Sequence, residues 1–134
     1  MRIVLVSCVK TKQDKPCKAV DMYISPLFRG MVSYAKKIGY HKLYILSAKY
    51  GLLKENDIIS PYEATLKQKS EKEKKIWAIS ILKALQRDGV DISKDEFIVL
   101  AGKEYRKYIL QKIKNYRIPL EGMGLGKQLK YLKE

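Results

Sequence analysis

A chain of 134 residues, 46% of them hydrophobic, has material for one globular domain with a real core, which excludes two large domains and global disorder. Its apolar runs are short, as in Ile3–Val6, and Met1-Arg2 leads straight into that run. Neither a membrane span nor a secretory leader is therefore predicted, and a soluble, cytoplasmic protein is expected. Lys+Arg number 28 against 14 Asp+Glu, a net charge of +14. Such an excess favours polyanionic partners, although lysine-rich surfaces also arise in thermophiles without any nucleic-acid role.

Taken in chain order, Arg2–Ser7 is a β-branched run that predicts a strand buried on both faces. A polar, lysine-rich loop follows from Cys8 to about Met22. Ser25-Pro26 reads as an N-cap with proline at the first helical position. Leu27, Phe28, Met31, Val32, Ala35 and Ile38 then recur at helical spacing, and Gly39 supplies the stop. Lys42–Ser47 predicts a second buried strand, followed by a long loop from Ala48 to about Lys69. Ser70 and Glu73 form a capping box, opening a helix that carries Ile76, Trp77, Ile79, Ile81, Leu82 and Leu85 and ends before Gly89.

Glu96–Ala101 predicts the third strand, and Gly102 breaks it. A helix is expected from about Lys103 to Tyr116, with Tyr105, Tyr108, Ile109 and Ile113 on one side. A short extended piece around Arg117–Pro119 is a candidate fourth strand. Gly122, Gly124 and Gly126 then precede a last short helix to Glu134. Alternating strands and helices predict one α/β domain over residues 1–134, three layers thick. Its sheet is expected to be small and mainly parallel, with about three to four strands flanked by helices.

In an open parallel sheet, ligands bind beyond the carboxyl ends of the strands, so the strand exits define the candidate site. The first exit holds Ser7, Cys8, Lys10 and Thr11; the second holds Ser47, Lys49, Tyr50 and Gly51; the third holds Gly102, Lys103 and Tyr105. Small residues admit close backbone approach, lysines supply charge for phosphate or carboxylate, and tyrosines offer a stacking face and a hydroxyl. Taken singly, each has a bland explanation, a solvated loop lysine or a tyrosine packed at the core rim. Convergence of Cys8, Lys49 and Gly102 around one hollow is the expectation to test.

The long loop turns at Gly51, is pinned by Leu52, Leu53, Ile58 and Ile59, and returns through Pro61 to Tyr62. Asp57 stands between those apolar residues, either as a site carboxylate or as a simple turn cap. Gly124 and Gly126 either present amides to a phosphate at the start of the last helix or form a tight connection. Cys8 is a thiol among lysines or simply a small buried side chain. The single histidine, His41, lies at the opposite edge, which argues against a Cys-His pair or a Ser-His-Asp triad. Cys8 and Cys17 with one distant histidine form no zinc signature, so neither a metal nor a cofactor is predicted.

Ser7-x-x-Lys10-Thr11 resembles the opening of the YaaA-like family. Ser47-x-x-Tyr50-Gly51-Leu52-Leu53, followed by Asp57-Ile58-Ile59-Ser60-Pro61-Tyr62, is similar to the family's S-x-x-Y-G-L-L…D-x-I-x-P-Y segment. The Pro119–Leu129 ending is similar to that of short, uncharacterised proteins of the same type. The resemblance implies an α/β domain and, for YaaA itself, DNA binding linked to oxidative stress. More distantly, the layout resembles uracil-DNA-glycosylase-like domains.

The first function expected is an enzyme or binder for a nucleoside, nucleotide or modified base, a hydrolase or transferase acting on an N-glycosidic bond being the reaction that suits the set. Lys10, Lys49 and Lys103 would hold a phosphate or carboxylate, Tyr50 or Tyr105 would stack the ring, and Asp57 would stabilise an oxocarbenium-like transition state. Lys10, Tyr50 and Asp57 are the catalytic candidates. The alternatives are a non-catalytic DNA- or RNA-binding protein and a small accessory protein whose lysines only solubilise it.

Overall fold

The computed structural model describes residues 1–8 and 12–133. The chain runs through β1 (Arg2–Ser7), β2 (Cys17–Lys18), α1 (Ala19–Met22), α2 (Pro26–Ile38), β3 (Lys42–Ser47), β4 (Gly51–Lys54) and β5 (Ile58–Ile59). A 3₁₀ turn (Leu66–Gln68), α3 (Glu71–Arg87), β6 (Glu96–Leu100), α4 (Lys103–Arg106), β7 (Tyr116–Arg117) and α5 (Leu125–Lys133) follow. The main sheet has 5 strands in the order β4-β3-β1-β6-β7. β1 pairs in parallel with both β3 and β6, and β6 in parallel with β7, while β4 is antiparallel to β3.

The central strand shows why the sheet is a middle layer. Ile3, Val4, Leu5 and Val6 are all 0% exposed, although successive side chains point to opposite faces. Val4 and Val6 join one apolar cluster, with Leu43, Ile45, Ile98, Leu100, and Phe28, Met31 and Ala35 of α2. Ile3 and Leu5 join the other, with Tyr44, Leu46, Phe97, Val99, and Ala78, Ile81 and Leu85 of α3. Helices therefore cover both faces, α2 beside α5 on one and α3 on the other. This is the expected mainly parallel α/β arrangement, with five strands in place of three or four.

Local signals hold where a cap is spelled out. Ser25 Oγ accepts from Phe28 N at 3.1 Å, and Gly39 closes α2 at φ +81°. At α3 the Ser70 hydroxyl accepts from Glu73 N, and the Glu73 carboxylate accepts from Ser70 N, both at 3.1 Å. The expected helix from Lys103 to Tyr116 is instead one turn, α4, followed by irregular turns. Phe97 N donates to Asn115 O at 2.8 Å, and that pairing draws the chain out of helix to lay β7 against β6. The two predicted loops contain short elements fastened to one another: β2 pairs with β5, and Ala19 N donates to Asp57 O at 2.7 Å. Leu53 and Ile59 do pin the second loop, but Ile58 is 68% exposed. Among the described residues, no helix is long and apolar enough to cross a membrane.

Candidate functional site

Taken alone, the parallel strands run β3-β1-β6-β7, so the chain goes from β1 to one side and then returns to the other. Connections leave β1 and β6 in opposite directions, which makes their carboxyl ends the switch point where open α/β sheets bind ligands. Ser7 and Cys8 stand at one lip and Gly102 at the other, joined by Gly102 N donating to Ser7 Oγ at 3.2 Å. Cys8 N donates to Leu46 O at 3.0 Å, extending the β3 pairing past the end of β1. Its thiol, 8% exposed, donates to Tyr105 Oη at 3.1 Å. Tyr105 meets Trp77 edge-on at 5.7 Å, and the Trp77 indole N–H donates to Ser47 O at 2.9 Å.

On the α2 side of the same edge lies a chain of hydroxyls. Ser47, fully buried, accepts at Oγ from Lys49 N at 3.2 Å and Tyr50 N at 3.0 Å, the local turn that ends β3. Its own O–H goes to Tyr62 Oη at 2.9 Å, and Tyr62 Oη lies 2.5 Å from Tyr23 Oη. Tyr50 packs edge-on to Tyr62 at 5.3 Å and donates to Ser60 O at 3.1 Å. The Lys12 ammonium sits 4.7 Å from the centre of the Tyr62 ring and that of Lys49 lies 5.2 Å from the Tyr50 ring. Burial pushes the Tyr62, Tyr23 and Tyr105 phenols up, and Cys8 close by adds to the rise. All three are neutral hydroxyls at physiological pH.

Ser7, Cys8, Ser47, Tyr62, Gly102 and Tyr105 are thus brought together, with Lys49, Tyr50 and Gly51 at their rim. Gly51, at φ +75°, makes the turn into β4. Lys103 opens α4 and is exposed. Lys10 and Thr11 lie outside the described residues. Asp57 does not join the group. β4 runs back down the sheet, with Lys54 opposite Tyr44, and the exposed Asp57 carboxylate caps the following turn by accepting from Lys54 N at 2.8 Å. It faces a shallow opening of about 390 Å³ shared with Leu52, Lys54, Ala84, Arg87 and Asp88, away from the strand exits. Its catalytic assignment is corrected accordingly. Gly124 and Gly126 stand in the exposed approach to α5 and its first turn, where an added Cβ at either would meet nothing within 4 Å.

Three contributors escaped the sequence. Tyr23 falls between the polar loop and the Ser25 cap, Trp77 reads only as helix core, and Glu104 carries no motif. Glu104 accepts from the Lys74 ammonium at 2.5 Å, and Lys74 is 8% exposed. That bond raises the Lys74 pKa and makes a charged pair beside Gly102. Only the Trp77 N–H, a donor that needs a partner when buried, offers any hint.

The model of a family of unknown function (DUF6884) matches residues 3–134. The chain belongs to this family. The match takes in all three strand exits and the whole hydroxyl chain, so the site is part of what the family model describes. Among curated proteins no match is found.

Proposed function

We propose that this protein binds and processes a nucleoside-, nucleotide- or base-like small molecule at the carboxyl ends of its parallel strands. The observation that carries this reading is the meeting of Ser7, Cys8, Tyr23, Ser47, Tyr62 and Tyr105, from separated segments, where the strand order reverses. Aromatic faces suit a planar ring, and Lys49 and Lys103 suit a phosphate at the rim. The loops similar to the YaaA-like family are those that supply Ser7, Ser47, Tyr50 and Tyr62. A glycosidic step loses Asp57 as its carboxylate and takes Glu104 instead, two residues past Gly102 and paired with Lys74.

Calorimetric titration with a panel of bases, nucleosides and nucleotides tests this reading, with chromatography for released base. Binding of at least one ring ligand is expected, and Lys49→Ala should weaken nucleotides about tenfold while sparing bases. Failure of every ring ligand to bind sinks the reading. The second reading, a DNA- or RNA-binding protein, draws on the net charge of +14. Filter binding to duplex that falls steeply with salt, with no response to small molecules, favours it.

A further inference from the structure

The Ala101–Gly102 peptide, where β6 ends, is gripped from both sides. Its N–H donates to Ser7 Oγ at 3.2 Å, and its carbonyl accepts from Arg106 Nη1 at 2.9 Å. One peptide unit thus ties the Arg106 guanidinium to the switch point between β1 and β6. Arg2 and Arg106 are the half-buried arginines. Arg2 has Glu96 at 2.7 Å, but Arg106 has no carboxylate partner among the described residues. Glu104, two residues away, is taken by Lys74, and Glu71 of α3 holds Lys107 at 3.0 Å. Lys103, the first residue of α4, is exposed and likewise forms no ion pair with the described residues. Two uncompensated cations therefore stand at i and i+3 on one turn. The space beside Gly102 is open, since an added Cβ there would meet nothing within 4 Å. A planar guanidinium fixed through one N–H, with its other donors free, is pre-organised for a two-pronged hold on an anion.

We infer that Arg106 is the anion receptor of the proposed site and that the preferred ligand is a nucleotide, a ring carrying a phosphomonoester. This rests on the small-molecule reading and deepens it, setting nucleotides above free bases and nucleosides. Charge favours a phosphomonoester over a carboxylate. The ester carries about −1.5 to −2 at neutral pH, which matches the paired cations Lys103 and Arg106, whereas a carboxylate would leave one of them uncompensated. Anchoring distinguishes Arg106 from the rim lysines. A lysine ammonium is a point charge on a flexible stem, but Arg106 is fastened to the same peptide that Ser7 holds. Its free donors therefore keep a set direction relative to Ser7 and to the Cys8–Tyr105 pair.

The experiment titrates the wild type calorimetrically with matched probes: the common ribonucleosides, their 5′-monophosphates, and inorganic phosphate alone. At least one monophosphate should bind roughly tenfold or more tightly than its nucleoside, and more tightly than phosphate. Arg106→Gln keeps an N–H for the Ala101 carbonyl but has no charge, and it should cut the ratio of monophosphate to nucleoside affinity about tenfold. Arg106→Lys keeps the charge without the fork and should restore part of that ratio. An arginine that only braced the Ala101–Gly102 peptide would weaken both probes alike and leave the ratio where it was. A base or nucleoside that gains nothing from its phosphate overturns the inference and leaves the small-molecule reading standing. An undiminished ratio in Arg106→Gln, or inorganic phosphate binding as tightly as the nucleotide, also overturns it. Absence of binding by every ring overturns both. Should Arg106→Gln not fold, modification of wild-type arginines by phenylglyoxal, mapped by mass spectrometry, decides. Protection of Arg106 by a monophosphate but not by its nucleoside supports the inference, and equal modification with either overturns it.

Discussion

Asp88 gathers Tyr44 and two lysines at the end of the sheet remote from the hydroxyl chain. Tyr44 Oη donates to its carboxylate at 2.5 Å, Lys54 Nζ stands 3.2 Å away, and the Lys42 ammonium donates to the Asp88 carbonyl at 2.5 Å. The Tyr44 bond, with Lys54, holds the carboxyl below its ordinary 3.8. The Arg2 guanidinium, 2.7 Å from Glu96, holds that carboxyl below its ordinary 4.5. Both pKa values are depressed on folding, so their stabilisation is complete above the ordinary values and is lost as pH falls through the folded ones. The urea midpoint should stay level from neutral down to about pH 5 and then drop. Asp88→Asn should be less stable at neutral pH and show a shallower acid limb. An unchanged limb in that variant removes Asp88 from the account. The residue scale also marks a limit of sequence reading. Asp57 and Asp88 are both aspartates near turns, and only the direction of β4 for the first, and the run of α3 that Asp88 closes for the second, places each at the end remote from the strand exits.

At the scale of elements, α3 shows what periodicity tells and what it leaves open. Six apolar positions are legible in it, yet Ile76 is 58% and Ile79 51% exposed, while Ala78, Ile81, Leu82 and Leu85 are buried. A helix with apolar residues on more than one side does not declare which face meets the sheet. Ile81→Ala should cost about 3 kcal/mol, because the cavity opens in a packed layer between α3 and β1. Ile79→Ser should stay within about 0.5 kcal/mol. Urea denaturation with an unchanged slope measures both, and near-equal losses would refute the facing assigned here. Caps at Ser25 and Ser70 are readable because a hydroxyl and the amide it accepts are only three residues apart. The extent of α4 is not readable, since it is settled by pairing of Asn115 with Phe97, from a different strand.

At the scale of the whole molecule, a net charge of +14 sets mutual repulsion against the compact state. Raising NaCl until the Debye length shrinks from about 30 Å to about 8 Å should lift the thermal midpoint by a few degrees. A midpoint that falls over this range would mean that the ion pairs Arg2–Glu96, Lys74–Glu104 and Lys107–Glu71 outweigh the repulsion. Attraction within solvent-exposed pairs such as Lys107–Glu71 is small, so the rise is the expected outcome.

Three buried strands, two capped helices and the list of strand exits were determined by sequence alone, because each depends on neighbours a few residues apart. Strand order, the removal of Asp57 from the site and the linking of Ser47, Tyr62 and Tyr23 were decided only by tertiary structure. Hydrogen bonds between residues 15 and 39 apart exist only after β1 and β3 have paired and the long loop has returned to the sheet. Local chemistry names the hydroxyls; the path of the chain between them decides which ones meet.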